Sequence, residues 1–414
     1  MGRAIAWAEK FAIASTVVLT VALICAVRWL VPGIQLTSGA HESAIPMVLG
    51  IGCAVALAAF LLAGTQKAWR KLLPLMALTG VAAVTATWMA QPVARLALLE
   101  LASALALLSV WRAGSRRAAG IYLSVIVLSA ASLIAGEVAL QQGSGDWAPA
   151  LLLGGFLLKL AIVPLLLWLP AVAEAVPALV IGVIIAVVDM AAFGELYLMA
   201  QAHPELLLPH ALWIGAAIAS SLLASLLMLT QHNIKRLLAL STIEDMGFLL
   251  LGVTAASELG LRGALIGATV HALAKALLFI SISAPEADGK LTEDARGLAS
   301  RYPVSAAGFL AGLLAMLGVP PLLGFAGRWR LYQTAAQTSP WLLAAFVLCS
   351  MFALIAYVLC LTRCWWGPAK ADEREAQTAG ESWPLRIAIV GLIVVLLAGG
   401  LWPNVLLALA GGIQ

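Results

Sequence analysis

Apolar runs of about 20 residues follow one another along nearly the whole chain, each closed by a short polar stretch. That is the length an α-helix needs to cross a ~30 Å hydrocarbon core at about 1.5 Å per residue. Thirteen windows are read this way, at roughly 11–30, 45–64, 72–90, 96–111, 118–141, 148–169, 177–200, 210–230, 237–256, 263–283, 304–325, 341–362 and 387–410. The pattern predicts an all-α integral membrane protein of about 13 transmembrane helices. The first window is long, lacks a small-residue cleavage site before a polar domain and is followed at once by a second span. It is therefore expected to be a retained helix and not a signal peptide.

Composition agrees with this reading. Of 414 residues, 63% are hydrophobic and 11% charged, against roughly 25% charged in soluble domains. With the N-terminus in the cytoplasm, most of the 24 basic residues fall in inside segments, such as Lys67, Arg70 and Lys71 or Arg112, Arg116 and Arg117. The outside segments hold Arg28, Arg95, Arg262, Arg328 and Arg330, so the positive-inside rule points to a cytoplasmic N-terminus and an outside C-terminus. Most tryptophans, among them Trp29, Trp69, Trp111, Trp147, Trp168, Trp341, Trp365 and Trp383, lie at window ends and are expected to form an interfacial belt. The five cysteines (25, 53, 349, 360 and 364) have neither CxxC nor Cys/His ligand spacing. No disulfide framework, iron–sulfur cluster, zinc site or other cofactor is expected.

The longest polar stretches, 284–303 and 363–386, read as solvated loops or docking surfaces for a cytoplasmic partner. A weak internal symmetry is also present. Window 148–169 carries Lys159 and Pro164, and five windows later 304–325 carries Pro320 and Pro321. An odd offset makes the two cross in opposite directions, as an inverted repeat requires. Proline frees backbone carbonyls that only protein or water can cover at membrane depth, so both helices are expected to be broken and to face the interior. The chain divides accordingly into N-terminal helices (1–70), a first five-helix repeat (71–200), a second (201–363), and a loop with a C-terminal helix (364–414).

An ionised group inside a span needs a partner or a water path. The candidates are Glu100, Glu137, Lys159, Asp189, Glu195, Glu244, Asp245, His271 and Lys275. Glu100 lies among leucines with no local countercharge, and Lys159 is the opposite charge available on a broken helix of the same repeat. Two readings stay open: a switchable pair whose protonation responds to a neighbouring charge, or a static ion pair that fixes helix packing. In "HALAKALLF", His271 and Lys275 lie one turn apart, as a proton relay would place them or as a histidine bonded to another helix would. Glu244 and Asp245 are adjacent, about 100° apart on a helix, and are expected to face different surroundings. Glu137 and Glu195 lie near span ends and are expected to reach the interface.

Five segments, which match in family order from about residue 95 to 330, carry a resemblance. "NIKRLLALSTIEDMGFLLLG", "HALAKALLF", "GGFLLKLAIVPLLLWLP" and "LGVPPLLGFAGRW", together with the helix "LLELASALALL", resemble the antiporter-like membrane subunits of respiratory complex I, of Mrp-type cation/proton antiporters and of energy-converting membrane hydrogenases. The Glu in "STIEDMG" leans towards the hydrogenase branch. The resemblance implies that Glu100 and Lys159 are the glutamate–lysine pair of a first half-channel, with His271 and Lys275 on a central polar axis. The sequence departs from the family pattern at Asp189, where a lysine or histidine is common nearby, at Asp245, often histidine, at Leu166, and at Arg328, usually lysine or glutamate. Arginine does not release its proton at accessible pH, so these departures bear on the second half-channel. The family's glutamate usually lies on its fifth helix and here on the fourth, which implies one early helix fewer.

The reading is therefore an ion-translocating subunit, for protons or sodium, of a multi-subunit redox-driven complex. Its pathway residues are Glu100, Lys159, Asp189, Glu244, Asp245, His271, Lys275 and Arg328, and it carries no redox centre of its own. Expected partners are other membrane subunits, cytoplasmic redox subunits and lipid, with no nucleic acid. The alternatives are a non-conducting scaffold of the same fold and a subunit of a cation/proton antiporter. An integral-membrane enzyme acting on lipid has no acidic metal motif to support it.

Overall fold

The computed structural model describes residues 44–142, 147–208, 210–367 and 380–403, and among these every regular element is helical. Besides the short turns Pro204–Leu207 and Leu298–Arg301 they are, in chain order, α1 (Ala44–Ala63), α2 (Leu73–Trp88), α3 (Pro92–Arg112), α4 (Arg116–Gln141), α5 (Ala148–Lys159), α6 (Trp168–Ala175), α7 (Ala178–Ala202), α8 (His210–Met228), α9 (Ile234–Thr254), α10 (Glu258–Ala287), α11 (Pro303–Leu317), α12 (Gly324–Thr338), α13 (Pro340–Trp365) and α14 (Trp383–Leu401). Local chemistry sets several starts. Pro92 and Pro303 occupy first turns, and Asn233 accepts from the backbone N–H of Lys235 at 2.9 Å and Arg236 at 3.2 Å, so α9 begins three residues before its apolar window.

Among the described residues eight helices are long and apolar enough to cross a bilayer by themselves: α3, α4, α7, α8, α9, α10, α13 and α14. The windows from 45–64 onward each hold a helix or a broken pair of helices, whereas 11–30 lies outside the described residues together with Cys25 and Trp29. The count of thirteen remains an expectation.

Burial separates helices that hydropathy cannot. α7, α9 and α10, which carry most of the buried ionisable candidates, are almost wholly enclosed, with α10 packed against α1, α7, α9, α11, α12 and α14. α4 instead leaves Leu123, Val127, Leu128 and Ile134 on an outer, lipid-facing stripe. Inside lipid both classes are equally apolar, and helices associate by close packing. Gly247 is a case in point: a Cβ there would lie 2.4 Å from the Ala217 carbonyl oxygen of α8.

Two spans are broken where the prolines fall. After α5 the chain passes through Ala161 at φ 53° and then Pro164. The exposed backbone is met by side chains: Ser220 of α8 accepts from the N–H of Val163 at 3.1 Å, and Trp168 donates to the Leu158 carbonyl at 2.9 Å. After α11, Gly318 takes the left-handed conformation at φ 72° that suits a glycine C-cap, and the N–H of Leu323 donates to Leu396 of α14 at 2.9 Å.

The structure corrects several expectations. The segment after Pro321, read as an outside loop, continues as the 15-residue helix α12, which buries Arg328. Arg95, read as another loop residue, lies buried inside α3. Glu137 and Glu195 are buried rather than interfacial, Glu195 paired with Arg95 of α3 and Glu137 bonded by Gln141 of its own helix. Trp168 and Trp365 are buried as well, Trp365 with its ring 5.0 Å from Phe309, while Trp111, Trp147, Trp341 and Trp383 are exposed as a belt requires. The stretch 284–303 is not a plain solvated loop, since Tyr302 is enclosed and donates to Asp288 at 2.7 Å. Within 363–386, Glu381 is buried and caps α11 by accepting from Ser305 N–H at 2.6 Å. Among the described residues the cysteines at 53, 349, 360 and 364 are buried and free.

Candidate functional site: two ionisable clusters at the helix breaks

The first cluster forms where α5 ends. Lys159 is the last residue of α5, where a cation also meets the unsatisfied carbonyls of the helix terminus. Its ammonium donates to Glu100 Oε1 at 2.7 Å and to Ser103 Oγ at 3.0 Å. Glu100 and Ser103 are three residues apart on α3 and so share one face. The lysine side chain is only 5% exposed and the glutamate 19%, so the pair sits in a poorly hydrated site with one edge open. Asp189 of α7 is buried within electrostatic reach of Lys159. It directly follows a π-helical turn, Ile184–Val188, a local widening that often marks functional positions. Tyr122 of α4 is buried among Ser103, Glu100 and Asp189 and has its ring 5.8 Å from Trp168. Sequence reasoning missed it, because a single tyrosine in an apolar window carries no signal.

The second cluster joins α9, α10 and α12. Asp245 Oδ2 lies 2.7 Å from His271 Nδ1. Arg328 Nη2 lies 3.3 Å from Asp245 Oδ1 and 3.5 Å from Glu244 Oε2, and donates to the Met316 carbonyl in the last turn of α11 at 2.8 Å. Its guanidinium carbon rests 3.8 Å over the Phe248 ring. Adjacent carboxylates expected to face different surroundings thus meet the same arginine, because its long side chain reaches both. Lys275 is fully buried and donates to Ser241 Oγ and, at 2.8 Å, to the Leu238 carbonyl. His271 is therefore bonded to another helix, and its neighbour along α10 is held by α9 separately. Glu244 Oε1, His271 Nε2 and Arg328 Nη1 are buried with no protein partner, so the cluster has hydrogen-bonding capacity to spare.

The eight sequence candidates thus fall into two groups: Glu100, Lys159 and Asp189 on α3, α5 and α7, and Glu244, Asp245, His271, Lys275 and Arg328 on α9, α10 and α12. Each group holds opposite charges at low hydration beside a helix break, and such groups respond strongly to a proton or charge arriving nearby. A further pair was overlooked: Arg95 of α3 engages Glu195 of α7 through two nitrogens, one contact at 3.2 Å, with both side chains buried. The described residues contain no cluster of three His, Cys, Asp or Glu side chains able to hold a metal ion.

Comparison with known proteins adds the lineage. One relative, NADH-quinone oxidoreductase subunit N of Moorella thermoacetica, is 31% identical over 296 residues, covering 68% of this chain and 61% of the relative. The matched part spans between 48% and 61% of the length of the first such relatives. Among solved structures, the fold is shared with a chain of the membrane-bound sulfane sulfur reductase, an archaeal respiratory membrane complex, at a TM-score of 0.78 and 19% identity over 86% of this chain and 64% of that one. It is shared equally with a chain of respiratory complex I from Thermus thermophilus, at 0.77 and 24% over 98% and 95%. Residues 45–353 match the NADH:quinone oxidoreductase/Mrp antiporter transmembrane family, to which the chain belongs.

Proposed function

We propose that this chain is a proton- or sodium-translocating membrane subunit of a multi-subunit redox-driven complex, seated in a bacterial inner membrane with its N-terminus in the cytoplasm. The observation that carries the reading is Lys159, a buried ammonium at the end of a broken helix, bonded to a carboxylate that keeps partial exposure. Lysine can give up its proton when its surroundings turn unfavourable to charge, so the Glu100–Lys159 pair can alternate between closed and separated states as ions arrive. Asp189, Lys275, His271 and Asp245 extend the ionisable path across the molecule, and on this reading each cluster belongs to one of two inverted five-helix halves. The relatives are named as one subunit of an NADH-quinone oxidoreductase, which supports an assembly with other membrane subunits; on this reading the redox chemistry belongs to cytoplasmic partner subunits.

A second reading has its own observation. Arg328 stands at the second break with a charge it cannot shed, held by two carboxylates, a carbonyl and an aromatic ring. A half-channel locked in this way suits a scaffold that conducts through its first half only, or not at all. Purification of the tagged chain from its native membrane, with mass spectrometry of what accompanies it, tests the assignment. Co-purifying iron–sulfur or quinone-oxidoreductase subunits support it. Recovery with small membrane proteins alone favours an antiporter assembly.

A further inference from the structure

The Arg95–Glu195 pair lies on the same two helices as Glu100 and Asp189, one layer nearer the membrane surface. Arg95 precedes Glu100 by five residues on α3, and Glu195 follows Asp189 by six on α7, rises of roughly 7 Å and 9 Å. The two offsets point towards the same face, the one where α3 begins and α7 ends. Arg95 also donates to the Ala90 carbonyl at 2.8 Å, in the turn that closes that face between α2 and α3. Thr87, Arg95, Leu99, Glu195 and Tyr197 line a cavity of about 10 Å³, room for about one water molecule. A second buried carboxylate, Glu137 of α4, acts on Glu195 electrostatically and is itself bonded by Gln141 at 2.9 Å. The charged groups facing Glu195 are thus Arg95 from α3 and Glu137 from α4.

A purely structural pin between α3 and α7 accounts for neither the cavity nor the second carboxylate, and packed apolar side chains join helices without burying charge. We propose that Glu195 carries the proton between the Glu100–Lys159–Asp189 cluster and the face where α3 begins, and that Arg95 is the fixed charge keeping this passage closed until Glu195 is neutralised. The inference rests on the ion-conducting reading above. A proton passes from a hydronium ion in the cavity to the Glu195 carboxylate, leaving water and a neutral carboxyl group. The pair then loses its attraction, and transfer onward to Asp189 or Glu100 restores the Glu195 carboxylate. Arginine cannot exchange its own proton here, so Glu195 is the member of the pair that toggles.

The test uses the whole complex in liposomes, with a potassium diffusion potential as driving force and an internal pH dye as readout. Glu195→Gln should lower proton flux by at least roughly tenfold with subunit composition unchanged, and Glu195→Asp should recover much of it. Glu195→Gln flux within about twofold of wild type, alongside a dead Lys159→Ala, overturns the passage while leaving the channel reading intact. Wild-type flux in both variants instead overturns the channel reading itself. If Glu195→Gln does not assemble, the double variant Arg95→Gln/Glu195→Gln decides, because it leaves no charge unpaired. An assembled, non-conducting double variant supports the proposal, and an assembled, conducting one refutes it.

Discussion

Replacing Arg328 by methionine keeps the bulk of the side chain and removes its charge. The change leaves Glu244 and Asp245, at 3.5 and 3.3 Å from the lost nitrogen, as neighbouring buried carboxylates. It also frees the Met316 carbonyl and the face of Phe248. Breaking a buried ion pair from one side costs about 3–5 kcal/mol. The protein can limit this by protonating one carboxylate, which from an ordinary value near ~4 costs about 4 kcal/mol at neutral pH. The hydrogen bond and the ring contact add about 1 kcal/mol each. The expected loss is therefore about 5–6 kcal/mol, read as equilibrium unfolding in mixed detergent micelles. Arg328→Met/Asp245→Asn removes one charge of each sign and should regain at least about 2 kcal/mol. A single variant within about 1 kcal/mol of wild type, or a double variant no better than the single, would refute the view that this arginine holds the second cluster together.

Further outcomes follow from other contacts. Lys159→Arg keeps the charge next to Glu100 but cannot release a proton, so it should preserve assembly and abolish ion flux in reconstituted liposomes. Glu286 accepts from Lys235 at 2.8 Å and from the Ala178 N–H at the start of α7 at 2.7 Å. Glu286→Gln should cost about 1–3 kcal/mol in the same unfolding measurement and leave flux unchanged. At Gly324 an added Cβ would lie 1.8 Å from the Ala315 carbonyl oxygen. Gly324→Ala must therefore move α12 against α11, and the yield of assembled complex from native membrane should fall.

Long uninterrupted apolar windows were legible because a bilayer demands them, and the prolines at 164, 320 and 321 marked the broken helices because proline removes a backbone donor. Glu100, Lys159, Asp245 and Arg328 stood out as charges inside or beside apolar windows. What escaped is what depends on side-chain reach and on which helix faces which. α12 has a mixed composition, so the helix that buries Arg328 read as a loop. Glu137, Glu195 and Arg95 lie near helix ends, where hydropathy does not distinguish a side chain turned to the interface from one turned inward; Arg95 and Glu195 find each other across helices distant in sequence, and Glu137 is bonded by Gln141 one turn along its own helix. The shared pairing of Glu244 and Asp245 was hidden for the same reason, since a 100° separation on α9 says nothing of the length of an arginine arriving from α12.

The measurement that bears most directly on ion translocation is proton and sodium flux through the assembled complex carrying Lys159→Ala, in liposomes under a potassium diffusion potential. Lys159 is bonded to Glu100 and Ser103 in a site with little access to water, and the account predicts that flux disappears while subunit composition stays unchanged. Flux equal to wild type in an intact complex would contradict it and leave the chain a scaffold.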